Sequence, residues 1–109
     1  GDLESALEDF NRAITLISTS TQTSKRSGDT FVDRARLHLR LDNLTQARED
    51  AANAVRILKE NLNSSARVAD RPIIKLELAA ARELLGDLYT RLGDNEKAQI
   101  EYLEASKLR

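Results

Sequence analysis

Chemistry in this chain would have to come from a short inventory of side chains. His38 is the only histidine, and there is no cysteine. General acid–base work or a metal site needs partners converging on one point, and a lone imidazole has no second histidine or thiolate to join it. Two adjacent carboxylate pairs, Glu8-Asp9 and Glu49-Asp50, lie in stretches with helical periodicity. Neighbours on a helix point about 100° apart and cannot close on one ion, so both pairs read as solvated faces. The two Gly-Asp pairs, Gly1-Asp2 and Gly93-Asp94, are no phosphate loop. Asn43-Leu44-Thr45 and Asn63-Ser64-Ser65 fit the glycosylation sequon, but no secretory signal accompanies them. Between residues 25 and 40, Lys25, Arg26, Arg34, Arg36 and Arg40 outnumber Asp29 and Asp33, the one segment that could address RNA or an acidic peptide. The whole chain carries a formal charge of −1, which draws it to neither nucleic acid nor an anionic membrane. The reading is therefore non-enzymatic, with no catalytic residue, no cofactor and no metal.

The elements that carry these side chains are helices. Ala, Leu, Glu, Lys and Arg make up about half of the 109 residues, and they lose least on entering a helix. One proline and four glycines leave too few turns for a sandwich or barrel. The length suits one domain, residues 1–109, with a modest core. No apolar run approaches the ~20 residues of a membrane helix, so a cytoplasmic, intracellular setting is expected. With no methionine in it, the chain is expected to be a processed product or a piece of a longer protein.

One helix recurs three times. A shift of 92 carries Gly1-Asp2 to Gly93-Asp94, Ala6 to Ala98, Phe10 to Tyr102 and Ala13 to Ala105. A shift of 41 carries Leu3 to Leu44, Ala6 to Ala47, Phe10 to Ala51 and Ala13 to Ala54. Leu3, Ala6, Leu7, Phe10, Ala13, Ile14 and Ile17 form one apolar stripe, in which small residues admit a neighbouring helix and the ring fills the gap between them. Two other helices, from about Asp29 to Leu41 and from about Pro72 to Leu92, precede the second and third copies. Asp70 and Pro72 suit a helix start, Gly93 suits a left-handed stop, and Asn43 with Gln46 forms a capping box.

The stretch ARELLGDLYTRLGDNEKAQIEYLEASKL resembles a tetratricopeptide repeat through Leu85-Gly86, Tyr89, Gly93-Asp94, Ala98, Tyr102 and Ala105, with Arg82 in place of the family's aromatic. TFVDRARLHLRLDNLTQAREDAANAVRI is similar, with Ala35 at the small position and His38 at an aromatic one, although Arg34 replaces the usual Leu and Asp42 the turn Gly. GDLESALEDFNRAITL resembles the back half of a repeat. The resemblance implies an all-α, right-handed array of stacked antiparallel hairpins, about two and a half repeats and five helices: a half repeat at 1–18, then repeats at 28–62 and 70–109. The spacing departs from the family, since Ala6 to Ala47 is 41 and Ala47 to Ala98 is 51, against a period of ~34. The first surplus, in STSTQTSKRSGD, reads as a loop with frayed helix ends. The second reads as two helices each extended by about two turns, with Leu58, Leu62, Ala66 and Val68 facing Ile73, Ile74, Leu78 and Ala81 across a joint near Val68–Arg71.

The resemblance further implies a protein-interaction scaffold or adaptor, binding a peptide or helix of another protein in the groove of the first helices of each hairpin. The groove positions would be Asp29, Val32, Arg36, Leu39, Ala80, Glu83, Asp87 and Thr90. Family members that grip acidic C-terminal tails use Lys, Asn and Arg there. Asp29, Val32, Asp33 and Arg36 in one copy, and Ala80, Glu83, Leu84 and Asp87 in the other, lack that clamp. The alternative is an RNA-binding helical repeat using segment 25–40. Leu3, Leu7, Phe10, Ile14 and Ile17 present more apolar surface than one neighbour covers, so self-association as a homodimer through the first helix is expected.

Overall fold

The computed structural model describes residues 2–19, 25–64 and 68–109. Among them are five α-helices: α1 (Asp2–Thr19), α2 (Lys25–Arg40), α3 (Leu44–Ser64), α4 (Arg71–Arg91) and α5 (Asn95–Lys107). A single 3-10 turn, Val68–Asp70, leads into α4, and no strand occurs among the described residues. Each helix packs on the next in chain order, so the hairpins α2–α3 and α4–α5 lie side by side with α1 stacked on α2. The molecule measures 42 × 35 × 19 Å, its smallest dimension matching two helix diameters.

The core follows the small-residue stripe. Ala47, Ala51, Ala54 and Leu58 on α3 are completely buried, because α3 is covered by α2 on one side and α4 on the other. Ala35 on α2 and Ala81 and Leu88 on α4 close against it. At the edges burial drops: among the described side chains of α1 Ile14 alone joins the core cluster, and of α5 only Ala98 and Ala105 are buried.

Both hairpin turns are built alike. Beyond α4, Gly93 takes φ +84°, its N–H donating to Thr90 while the Asp94 N–H donates to Tyr89 O at 2.8 Å. Beyond α2, Asp42 takes φ +62° with the matching bonds, Asp42 N–H to Leu39 and Asn43 N–H to His38. This paired closure satisfies the last carbonyls of a helix. Asp42 thus performs the glycine's role despite its Cβ. The Asp94 carboxylate then caps α5 by accepting from the Lys97 N–H. Asp70 stands at the start of α4 but makes no side-chain capping bond, so Pro72 in the first turn and the 3-10 turn set that end.

The spacing surpluses resolve differently from one another. In the first, α1 runs to Thr19 and α2 begins at Lys25, earlier than Asp29. Ser27 is buried, and Gly28 lies so close to α3 that a Cβ there would sit 2.8 Å from Leu58 Cγ. Those residues are helix rather than loop because Gly28 lets a polar-looking turn pack flush on Leu58; residues 20–24 of the expected loop lie outside the described residues. In the second, the helices are extended, with Leu62, Ile74 and Leu78 buried between α3 and α4. Val68 and Ile73, expected in that contact, are exposed at 78% and 50%, since they point away from α3; Ala66 lies outside the described residues.

Candidate partner-binding groove and the buried ion pairs beside it

The first helices of the two hairpins, α2 and α4, bound a groove of about 330 Å³ lined by Asp29, Val32, Asp33, Arg36, Glu77 and Ala80. Four of the residues expected from sequence, Asp29, Val32, Arg36 and Ala80, meet in it. Asp33 and Glu77 join them, each three or four residues from an expected one and therefore on the same helical face. The other four expected residues are not among this lining and make contacts within the chain. Leu39 packs against the core. Glu83 pairs with Arg109, just beyond the end of α5, at 2.7 Å. Asp87 accepts the phenolic O–H of Tyr102, and Thr90 donates to Gly86 O at 3.0 Å. That bond to Asp87 is the largest cause holding the Tyr102 pKa above the usual phenol value. Groove lining on α4 is consequently confined to its N-terminal half, where the helix extension supplies Glu77.

Between α1, α2 and α3 lies an ion-pair network that sequence reading placed wrongly. Asp50, taken with Glu49 as a solvated face, is 2% exposed. Arg34 holds it bidentately, Nε to Oδ2 at 2.7 Å and Nη2 to Oδ1 at 2.6 Å, and donates through Nη1 to Asn11 Oδ1 at 3.0 Å. One guanidinium so ties α1, α2 and α3 together. It also stands over the Phe31 ring, 5.8 Å from its centroid. His38 is buried, as its packing role requires, with the Asn43 amide nitrogen 3.2 Å from Nδ1 and Asp50 Oδ2 3.7 Å from Nε2. An unprotonated Nδ1 accepts from the Asn43 amide, while Asp50 stands beyond hydrogen-bond distance of Nε2. Burial is the main reason its pKa falls below the ordinary imidazole value; Asp50 opposes that shift and Arg34 adds to it. In the other hairpin Arg82, standing where the family has an aromatic, pairs with Glu101 at 3.0 Å.

Among the described residues no group of three histidine, cysteine or carboxylate side chains is arranged to hold a metal, and no helix is long and apolar enough to cross a membrane. The basic segment is divided. Arg34 is committed to Asp50, Arg36 and Arg40 are exposed, and the side chains of Lys25 and Arg26 lie outside the described residues. Phe31 is buried at 8% exposure and offers no ring for stacking. On α1, Ile14 is buried, Leu3, Leu7 and Phe10 are half-buried, and the Ile17 side chain lies outside the described residues.

An all-α array of antiparallel hairpins with a groove between their first helices defines a helical-repeat protein. Residues 79–109, most of α4 and all of α5, match the family model of the tetratricopeptide repeat. No curated protein and no solved structure matches the chain. Repeats of this family typically serve as non-enzymatic protein-interaction modules.

Proposed function

We propose that the chain is an interaction scaffold whose α2–α4 groove receives a basic peptide or helix of a partner protein. The observation that carries this is the charge of the groove wall: the exposed carboxylates of Asp29 and Asp33 stand beside the guanidinium of Arg36, with Val32 and Ala80 as the apolar floor. Two exposed carboxylates one turn apart beside a concave apolar strip favour a segment that alternates lysine or arginine with small apolar residues. The acidic tails gripped by some family members are disfavoured by the same wall.

RNA binding through segment 25–40 is the weaker reading. Arg34 is occupied, Phe31 is covered, and Asp29 and Asp33 place negative charge beside Arg36.

Selection of a random peptide library on the immobilised chain tests the proposal. Enriched peptides should be basic, and the double variant Asp29→Lys/Asp33→Lys should lose them while keeping its helical circular dichroism. Enrichment of acidic peptides, or binding indifferent to that variant, overturns it. Retention of single-stranded RNA at low salt with a steep salt dependence would favour the other reading.

A further inference from the structure

The threefold recurrence contains a pattern of small, acidic and small residues on one helix face: Ala6-Asp9-Ala13 in α1, Ala47-Asp50-Ala54 in α3 and Ala98-Glu101-Ala105 in α5. In α3 and α5 this face meets the preceding helix of the same hairpin. Ala47 and Ala54 are 0% exposed, Ala98 and Ala105 are 2% and 1%, and each carboxylate receives an arginine, Arg34 or Arg82, from that helix. The end helix α5 separates the causes, because α4 is its main neighbour and suffices to bury both alanines. In α1 the same face is only partly covered by the described residues. Ala6 and Ala13 are partly exposed and Asp9 is exposed, whereas the side that meets α2, marked by Asn11 and Ile14, lies about a third of a turn away.

The residue opposite the centre of this face is also determined by internal example. Tyr102 of α5, the counterpart of Phe10, faces Gly86, where a Cβ would lie 2.8 Å from the ring. The α3 counterpart is the small Ala51, and the corresponding position on α2 is Ala35. A ring on one helix goes with glycine on the other. Arg82 precedes Gly86 by one turn, and Arg34 immediately precedes Ala35.

We infer that the Ala6–Asp9–Ala13 face of α1 is a docking site for an antiparallel amphipathic helix carrying arginine one residue or one turn before a glycine. The arginine pairs with Asp9, and the glycine seats on Phe10. This surface is separate from the α2–α4 groove, and its partner is basic at a single point within an apolar helix. A second copy of α1 fits less well, since it presents no glycine and sets Phe10 against the same crowded face.

The probe is a fluorescein-labelled peptide of this chain's residues 76–92, which contains Arg82 and Gly86, titrated with the whole chain and read by anisotropy. Saturable binding is expected, about tenfold or more weaker for Asp9→Lys, as loss of a charge-assisted hydrogen bond requires. A peptide carrying Arg82→Glu should restore binding to the Asp9→Lys chain. Asp9 is exposed, and circular dichroism checks that the variant keeps its fold. No binding, or binding indifferent to Asp9, overturns the inference. So does a dimer in sedimentation equilibrium that excludes the peptide, because α1 would then be covered by a second copy.

Discussion

Arg34 and Asp50, 16 residues apart on successive helices, form a two-bond ion pair of 2.7 and 2.6 Å in which the carboxylate side chain is 3% exposed and the guanidinium 20%. A pair this enclosed is costly to break, because the surviving charge keeps its desolvation without its partner. Arg34→Met should destabilise the chain by about 2–3 kcal/mol, below the range for a fully buried pair because water reaches the guanidinium. Replacing both residues with apolar ones should recover most of that loss. Urea denaturation of the two single variants and the double variant measures the coupling directly.

His38 makes stability depend on pH. Its pKa is lower folded than unfolded, so between the two values the unfolded chain binds more protons and folding weakens as pH falls. Its contribution is constant above about pH 7.5, declines as pH drops through the unfolded value of about 6.5, and levels off below the folded value. In His38→Gln that part of the slope should vanish. Arg34→Met removes a cation that helps depress the imidazole, so the His38 pKa should rise, visible as a shifted midpoint of its ring proton resonance.

The two turns make opposite forecasts. Asp42 and Gly93 share the left-handed conformation, and nothing lies within 4 Å of a Cβ at Gly93, so backbone strain alone is at stake. Gly93→Ala should cost about 1–2 kcal/mol. Asp42→Gly should stabilise by about 0.5–1 kcal/mol, net of the glycine's greater unfolded freedom. Thermal melts of both variants decide the matter.

Helix crossings separate by what stands opposite. Ala98→Leu should cost about 1–3 kcal/mol or more, as added carbons enter a contact that is 2% exposed. Gly28→Ala should cost about as much, because Leu58 is fully buried and has no room to retreat. At Gly86 the obstacle is the ring of Tyr102, 38% exposed, which can swing outward at the expense of its exposed hydrogen bond to Asp87. There the helix-propensity gain of alanine, about 1 kcal/mol, should offset most of the crowding. An equal loss at the two glycines would contradict this account.

In the extended hairpin, Leu78 is 2% exposed beside Leu62 and Ile74. Leu78→Ala should cost about 2–5 kcal/mol. Backbone amides of 59–64 and 74–78 should exchange slowly, and rapid exchange there would show that the extension is not packed.

Periodicity within one helix was legible because it depends on sequence spacing alone. The recurring Ala6, Ala47 and Ala98, the stop at Gly93, and the extension that buries Leu62 against Ile74 and Leu78 all repeat at helical intervals. Asp42 was legible as the residue standing at the turn glycine's position, but that it takes the same left-handed conformation is revealed only by the shared bonding. The start of α2 was hidden by its polar letters, because Ser27 and Gly28 are buried through closeness to Leu58 rather than through hydrophobicity. What the tertiary structure alone decided is which polar residues face inward. Asp50 and Glu49 are adjacent and chemically alike, yet one is buried and the other exposed. Likewise Glu77 entered the groove while Glu83 was drawn to Arg109 and Asp87 to Tyr102. The rotation of each helix about its axis makes that choice, and it is set by how alanines, glycines and rings interlock between helices distant in sequence.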